Sequence, residues 1–173
     1  MTPPGARRIW ETARATYRVV SWLPNRIADG LAHHLALRLG CRDLPPGTGH
    51  DVLAAFAAHF GAEPGRVRLV GLSDRALRLL ERVHGRVLAV TWASTIYLRT
   101  EALVWAADGS VSDRESIDTL AHELWHVHQF RRSGGGLVWV ARWLWERLRY
   151  EAGEMPIEVE AREMAREFAA LRL

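Results

Sequence analysis

The chain has 173 residues, with 23 arginines, 20 acidic residues, one cysteine and a net charge of +3. This length fits one domain with a short appendage, and 49% hydrophobic and 25% charged residues are typical of a folded protein, so we exclude a multidomain assembly and a disordered chain. The single Cys41 excludes an intramolecular disulfide and a cysteine-rich metal cage, and no apolar run approaches the roughly 18 residues of a membrane span.

The first 44 residues are predicted to form an N-terminal helical extension. Residues 6–39 alternate apolar and Arg/His positions at helical spacing, and Pro24 divides them into two amphipathic helices. The Pro- and Gly-rich segment 41–49 predicts a linker, so we place the main domain at 45–173. Charged residues interrupt the apolar positions near the start, so we expect no secretory signal and a location in the cytoplasm, with unconventional export as the alternative.

The main domain is predicted to contain helices and a few strands. Ser112 and Glu115 form a capping-box pattern at the start of one helix. The predicted helices are 51–60, 73–84, 112–132, 137–151 and one that begins at Pro156, and the predicted strands are 66–70, 87–92 and 95–99. Helices, a small set of strands and then helices predict an α+β fold that is mostly helical.

The most informative segment is His122-Glu123-Leu124-Trp125-His126, which has the pattern H-E-x-x-H. At about 100° per residue, His122 and His126 lie on one face of the predicted helix, one turn apart, so both imidazoles can bind the same ion. Glu123 lies beside that face, where it can act without binding the ion. The opposite face is apolar, with Ile117, Leu120, Ala121, Leu124 and Val127.

A catalytic zinc site usually has three protein ligands and a water, so the two histidines leave one protein ligand to be found. The last helix offers Glu158 and Glu160 beside its apolar stripe, and the residues alone leave the choice between them open. His128 falls beside the apolar face of the metal helix and is interpreted as a core or interface histidine. Gln129 returns to the metal-facing side and can hydrogen-bond a ligand or a substrate, or remain a surface amide.

The segments Thr91–Arg99 and Leu120–Gln129 resemble a small gluzincin-type zinc metallopeptidase domain of bacteria, the eCIS core domain, which is associated with extracellular contractile injection systems and toxins. The similarity begins near Val52 and covers about 120 residues of the printed sequence. It implies a zincin-like fold, with an edge strand at Thr95–Arg99 beside the H-E-x-x-H helix. It also implies one Zn²⁺ per chain, bound by His122, His126 and Glu158, although Arg162 stands where the family usually has Asp.

If zinc binds, it lowers the pKa of its water to roughly 7, and Glu123 is the predicted general base for peptide-bond hydrolysis. The candidate donors to the oxyanion are Tyr150 and, behind it, Tyr97; packing is the alternative role of both. The predicted partner is therefore a peptide or protein substrate.

Two rival functions follow from other features. The injection-system association allows a non-catalytic zinc-binding module in secretion or in the assembly of an injection system or toxin. Segment 137–145 concentrates three of the eight tryptophans beside arginines, a composition typical of a membrane surface, although core packing is the favoured interpretation. The scattered arginines favour a solvated surface over a specific nucleic-acid site.

Overall fold

The computed structural model describes residues 29–61, 67–84, 86–134 and 136–172. They form an α+β fold, as predicted, and the first helix of the predicted extension lies outside them. The elements in chain order are α1 (29–38), β1 (Arg42–Asp43), α2 (His50–Phe60), β2 (Arg68–Gly71), α3 (Asp74–His84), β3 (Ala89–Trp92), β4 (Thr95–Leu98), α4 (Arg114–Arg132), α5 (Gly136–Arg147) and α6 (Pro156–Ala170).

The four strands form one mixed sheet in the order β1-β2-β4-β3. β2 and β4 are parallel, whereas β3 and β4 form an antiparallel hairpin in which Trp92 pairs with Thr95 across a two-residue loop. The expectation of an edge strand at Thr95–Arg99 is wrong, because β4 lies inside the sheet and β3 lies at its edge. β2 pairs with one edge of β4 and β3 with the other, and a hydrophobic cluster covers each face, so all four residues of β4 are buried.

Side chains of the strands alternate between two hydrophobic clusters, one on each face of the sheet. On one face, Ile96 and Leu98 of β4 pack with the apolar face of α4 and with α2 and α6. On the other face, Val70 and Tyr97 pack with α3 and with residues near the end of α1. The apolar side predicted for α4 is confirmed, since Ile117, Leu120, Ala121, Leu124 and Val127 are all buried in the first cluster.

The start of α4 differs from its prediction by one residue. The N-cap is Asp113, whose side chain accepts hydrogen bonds from the backbone N–H groups of Glu115 and Ser116, at 3.0 and 3.1 Å. The hydroxyl of Ser112 instead lies 3.5 Å from the carbonyl oxygen of Val104. Asp and Ser are both favoured N-caps, so the pattern located the helix but not its cap.

Residues 29–43, which lie in the predicted extension, contribute α1 and β1 to the packed structure. β1 falls inside the predicted linker and pairs with β2, with Arg42 opposite Gly71. Within the described residues, no helix combines the length and the apolarity that a bilayer crossing requires.

Candidate metal centre

Helix α4 presents His122 and His126 side by side, as their four-residue spacing predicts. Their rings lie 4.7 Å apart between centroids, and the two Nε2 atoms are separated by 3.1 Å. The burial of the opposite side of α4 against the sheet and α6 fixes the rotation of the helix, so these rings face away from the first cluster's centre. The side chain of His122 is 20% exposed and that of His126 is 8% exposed, so the pair lies at the edge of the core.

Glu158, in the first turn of α6, completes a group of three ligating side chains. Its Oε2 lies 3.3 Å from Nε2 of His122, and its Oε1 lies 3.4 Å from Nε2 of His126. His122, His126 and Glu158 can each offer one ligand atom, and these atoms lie within 4.8 Å of one another, which is close enough to hold a metal ion. Of the two glutamates left open by the sequence, Glu158 is therefore the one beside the histidines.

Glu158 and His126 strongly perturb each other's ionisation. Burial alone would raise the pKa of Glu158, but hydrogen bonds from His122 and His126 hold it well below its usual range. Burial alone would lower the pKa of His126, but Glu158 and Glu123 raise it to about 9. A cation in this position would replace the histidine proton as the partner of the carboxylate.

Gln129 hydrogen-bonds the candidate ligand His126, which is one of the two roles predicted for it. Its Oε1 lies 2.9 Å from Nδ1 of His126, and its Nε2 donates to the carbonyl oxygen of Ile157 at 3.0 Å and to Oε2 of Glu160 at 3.1 Å. Because both contacts of Nε2 are acceptors, the amide orientation is determined, and Oε1 accepts from a proton on Nδ1. In the neutral imidazole, Nε2 of His126 then carries the free lone pair that a metal needs.

Glu160 and Arg162 take supporting positions in the same helix. Glu160 accepts from Gln129 and pairs with Arg132 at 2.9 Å. Arg162 donates to backbone carbonyl groups of Glu158 and Gly153. Arg162 thus binds the backbone around the start of α6, while Gln129 contacts the histidine.

Buried side chains hold both peptide groups of Ile157, the residue before Glu158. Its N–H donates to Oε2 of Glu146 at 2.9 Å, and its carbonyl oxygen accepts from Gln129. Glu146 is only 6% exposed and also accepts from Nε of Arg142 at 2.7 Å. We call Gln129 and Glu146 the Ile157 clamp. Sequence reasoning missed Glu146, although its helical spacing from Trp143 and Trp139 places it on the inward side of α5.

Glu123 is buried beside the histidines and is held by the edge strand. The hydroxyl of Thr91 in β3 lies 2.6 Å from Oε2 of Glu123 and 3.2 Å from its backbone carbonyl oxygen. Thr91 was also missed, and only its polar character within an apolar strand pointed to it. A cavity of about 330 Å³ opens between this strand and α4, and its lining includes His122, Glu123 and Asp118.

The remaining candidates lie apart from this group. Tyr97 points into the cluster on the opposite face of the sheet, so it does not reach the site as an oxyanion donor. Tyr150 lies on the surface, 43% exposed, and its side chain makes no hydrogen bond to the metal-binding group within the described residues. His128 is half-buried, with its ring 4.8 Å from that of Trp125. It therefore packs against the apolar side of α4 and does not join the histidine pair.

Comparison of the chain with models of known families, with curated proteins and with solved structures finds no match.

Proposed function

We propose that this chain is a zinc-dependent metallopeptidase of gluzincin type with a zincin-like fold. The observation that carries the proposal is the spacing of the three ligand atoms. Tetrahedral zinc with bonds of about 2.0–2.2 Å places neighbouring ligand atoms about 3.3–3.6 Å apart. Nε2 of His122 lies 3.1 Å from Nε2 of His126 and 3.3 Å from Oε2 of Glu158, and the other oxygen of Glu158 lies 3.4 Å from Nε2 of His126. With one ligand atom taken from each side chain, all three lie within 4.8 Å of one another, so a small rotation of the carboxylate is needed to bring a single oxygen to both histidines.

Two histidines and one carboxylate are a donor set typical of catalytic zinc with an open fourth position. Zinc bound there would supply a Lewis acid and an activated water. Glu123 provides the proton acceptor, since it lines the same cavity as His122. Thr91 binds Oε2 of Glu123, and no hydrogen bond within the described residues occupies Oε1, which is left to accept a proton and pass it to the leaving amine.

The edge strand favours a peptide as the substrate. β3 pairs only with β4 among the described strands, so its second edge carries free backbone N–H and C=O groups. This strand also lines the cavity through Ala89 and Val90. An extended peptide that pairs with such an edge passes beside the residues that would cleave it.

The test compares zinc-loaded wild type with Glu123→Gln, using a fluorogenic peptide library and measurement of bound metal. Glu115→Gln is the matched control, because it changes an exposed acid in the same helix. We expect Glu123→Gln to keep its zinc and lose at least about 100-fold in rate, and the control to keep its activity. Full activity in Glu123→Gln would refute the role of the base. Zinc binding without any hydrolysis by the wild type would favour the non-catalytic module in secretion or toxin assembly.

A further inference from the structure

Helix α5 turns an apolar side away from the rest of the described structure. Its exposed apolar residues are Val138, Ala141, Leu144 and Trp145, with exposed fractions of 41% for Val138, 51% for Leu144 and 56% for Trp145. Leu148, directly after the helix and 84% exposed, continues this side, because its N–H still donates to the carbonyl oxygen of Leu144 at 3.0 Å. At about 100° per residue, these five positions fall within about 120° of the helix circumference. We call them the α5 apolar stripe.

The packing of α5 uses its other side. Trp139, Trp143 and Glu146 lie opposite the stripe; the ring of Trp139 lies 6.1 Å from that of Phe130, and Glu146 holds the start of α6. These inward residues therefore supply the core packing that the sequence favoured for segment 137–145. The stripe remains as a contiguous apolar surface, which in folded proteins marks an interaction site.

Arginines border the stripe on both sides. Arg142 and Arg149 follow one border, and the guanidinium of Arg149 lies 3.7 Å from the ring centroid of Trp145. Arg147 follows the other border. Glu146 is the only acidic residue between 136 and 150, and it is buried; the next acids, Glu151 and Glu154, follow the end of the helix. The exposed side chains of α5 are thus apolar or cationic.

We propose that the α5 apolar stripe docks on the surface of an anionic lipid bilayer. Exposed Trp and Leu side chains insert at the level of the headgroups, and the flanking arginines reach lipid phosphates while their aliphatic stems stay in contact with apolar groups. Charge argues against residues 1–28 as the occupant, because that segment has five arginines and one acid and would repel the arginine borders. None of the five stripe residues belongs to the metal centre or to the Ile157 clamp.

The test is flotation of the full chain with vesicles of phosphatidylcholine alone and of phosphatidylcholine with 30% phosphatidylglycerol, at low and high salt. We expect binding to the anionic vesicles, weakened by salt. The double variant Trp145→Ser with Leu148→Ser should lower the partition coefficient at least about tenfold. Arg147→Gln with Arg149→Gln should lower it about thirtyfold at low salt. The control is Leu79→Ser with Val104→Ser, which removes apolar groups that are 50% and 55% exposed elsewhere.

Several results would overturn the proposal. One is failure of the wild type to bind anionic vesicles, and another is equal loss of binding in the control. A third is a marked fall in the melting temperature of the Trp145/Leu148 variant, which would mean that the chain itself covers the stripe. A fourth is a dimer in solution that this variant abolishes, with no lipid binding, which would assign the stripe to a second copy.

Discussion

Replacing Gln129 by methionine tests whether this buried amide prepares His126 for a metal. Methionine has a similar length but makes no comparable hydrogen bonds. The variant loses three contacts, to Nδ1 of His126, the carbonyl oxygen of Ile157 and Oε2 of Glu160. The hydrogen bond from α4 to the carbonyl group before Glu158 in α6 is then absent, and the imidazole of His126 loses the acceptor that fixes its tautomer.

The magnitudes follow from these lost contacts. Removal of an outer-shell partner of a metal-binding histidine typically lowers metal affinity about 10–100-fold, or about 1.4–2.8 kcal/mol. Loss of the buried hydrogen bond from Gln129 to the Ile157 carbonyl costs about 0.5–1.5 kcal/mol of folding stability. We therefore expect Gln129→Met to bind zinc at least about tenfold more weakly and to unfold at lower urea concentration than the wild type.

The assay is competition for zinc between the protein and a chromogenic chelator at pH 7, with urea unfolding of the metal-free protein measured alongside. Arg132→Gln is the matched control, since Arg132 lies in the same helix and binds Glu160 at the surface without touching His126. A zinc affinity within about twofold of the wild type, in a Gln129→Met protein that remains folded, would refute this role of Gln129.

Substitutions at three further positions test other contacts. Glu146→Ala removes the acceptor of the Ile157 N–H, so it should lower the free energy of unfolding in urea by about 1–3 kcal/mol and weaken zinc binding. Glu146→Gln keeps an acceptor and should retain most of the stability and of the zinc affinity. Equal losses in the two variants would contradict the clamp. Thr91→Val should lower kcat/KM about tenfold with unchanged zinc content, and Thr91→Ser should recover it; lost zinc would contradict a role at Glu123. Burial raises the pKa of Tyr97 from 10.0 to about 12, so the stability that depends on its neutral form is present below pH 10 and falls as the pH rises through about 12. Tyr97→Phe should flatten that fall without loss of stability at pH 8, and a loss above about 1 kcal/mol there would show that the hydroxyl has a partner.

The local features of the site were predictable because they depend on helical spacing. The four-residue separation of His122 and His126 places their rings together in any straight helix, and the apolar residues opposite them determine which side is buried. Gln129 follows from the same geometry, three residues after His126. These inferences need no knowledge of how distant segments meet.

Features that depend on distant segments were not predictable in this way. Two acids two residues apart in α6 differ by about 200° around the helix, and only the crossing of α4 and α6 decides that Glu158 faces the histidines while Glu160 meets Gln129 and Arg132. The edge position that the resemblance implied for Thr95–Arg99 was wrong for a similar reason. β3 and β4 have similar composition, and the parallel pairing of β4 with β2, which makes β4 internal, joins residues about 27 positions apart.

The most direct test of the metal centre is the zinc content of purified protein after reconstitution and removal of free metal, measured by mass spectrometry. The variants are His126→Ala and Glu158→Ala, with Glu160→Gln as the matched control that keeps an acceptor for Gln129. Circular dichroism of each protein verifies folding. We predict one zinc per chain in the wild type and in Glu160→Gln, and its loss from His126→Ala and Glu158→Ala. A folded wild type that binds no zinc, or a Glu158→Ala protein that keeps its full content, would contradict the site.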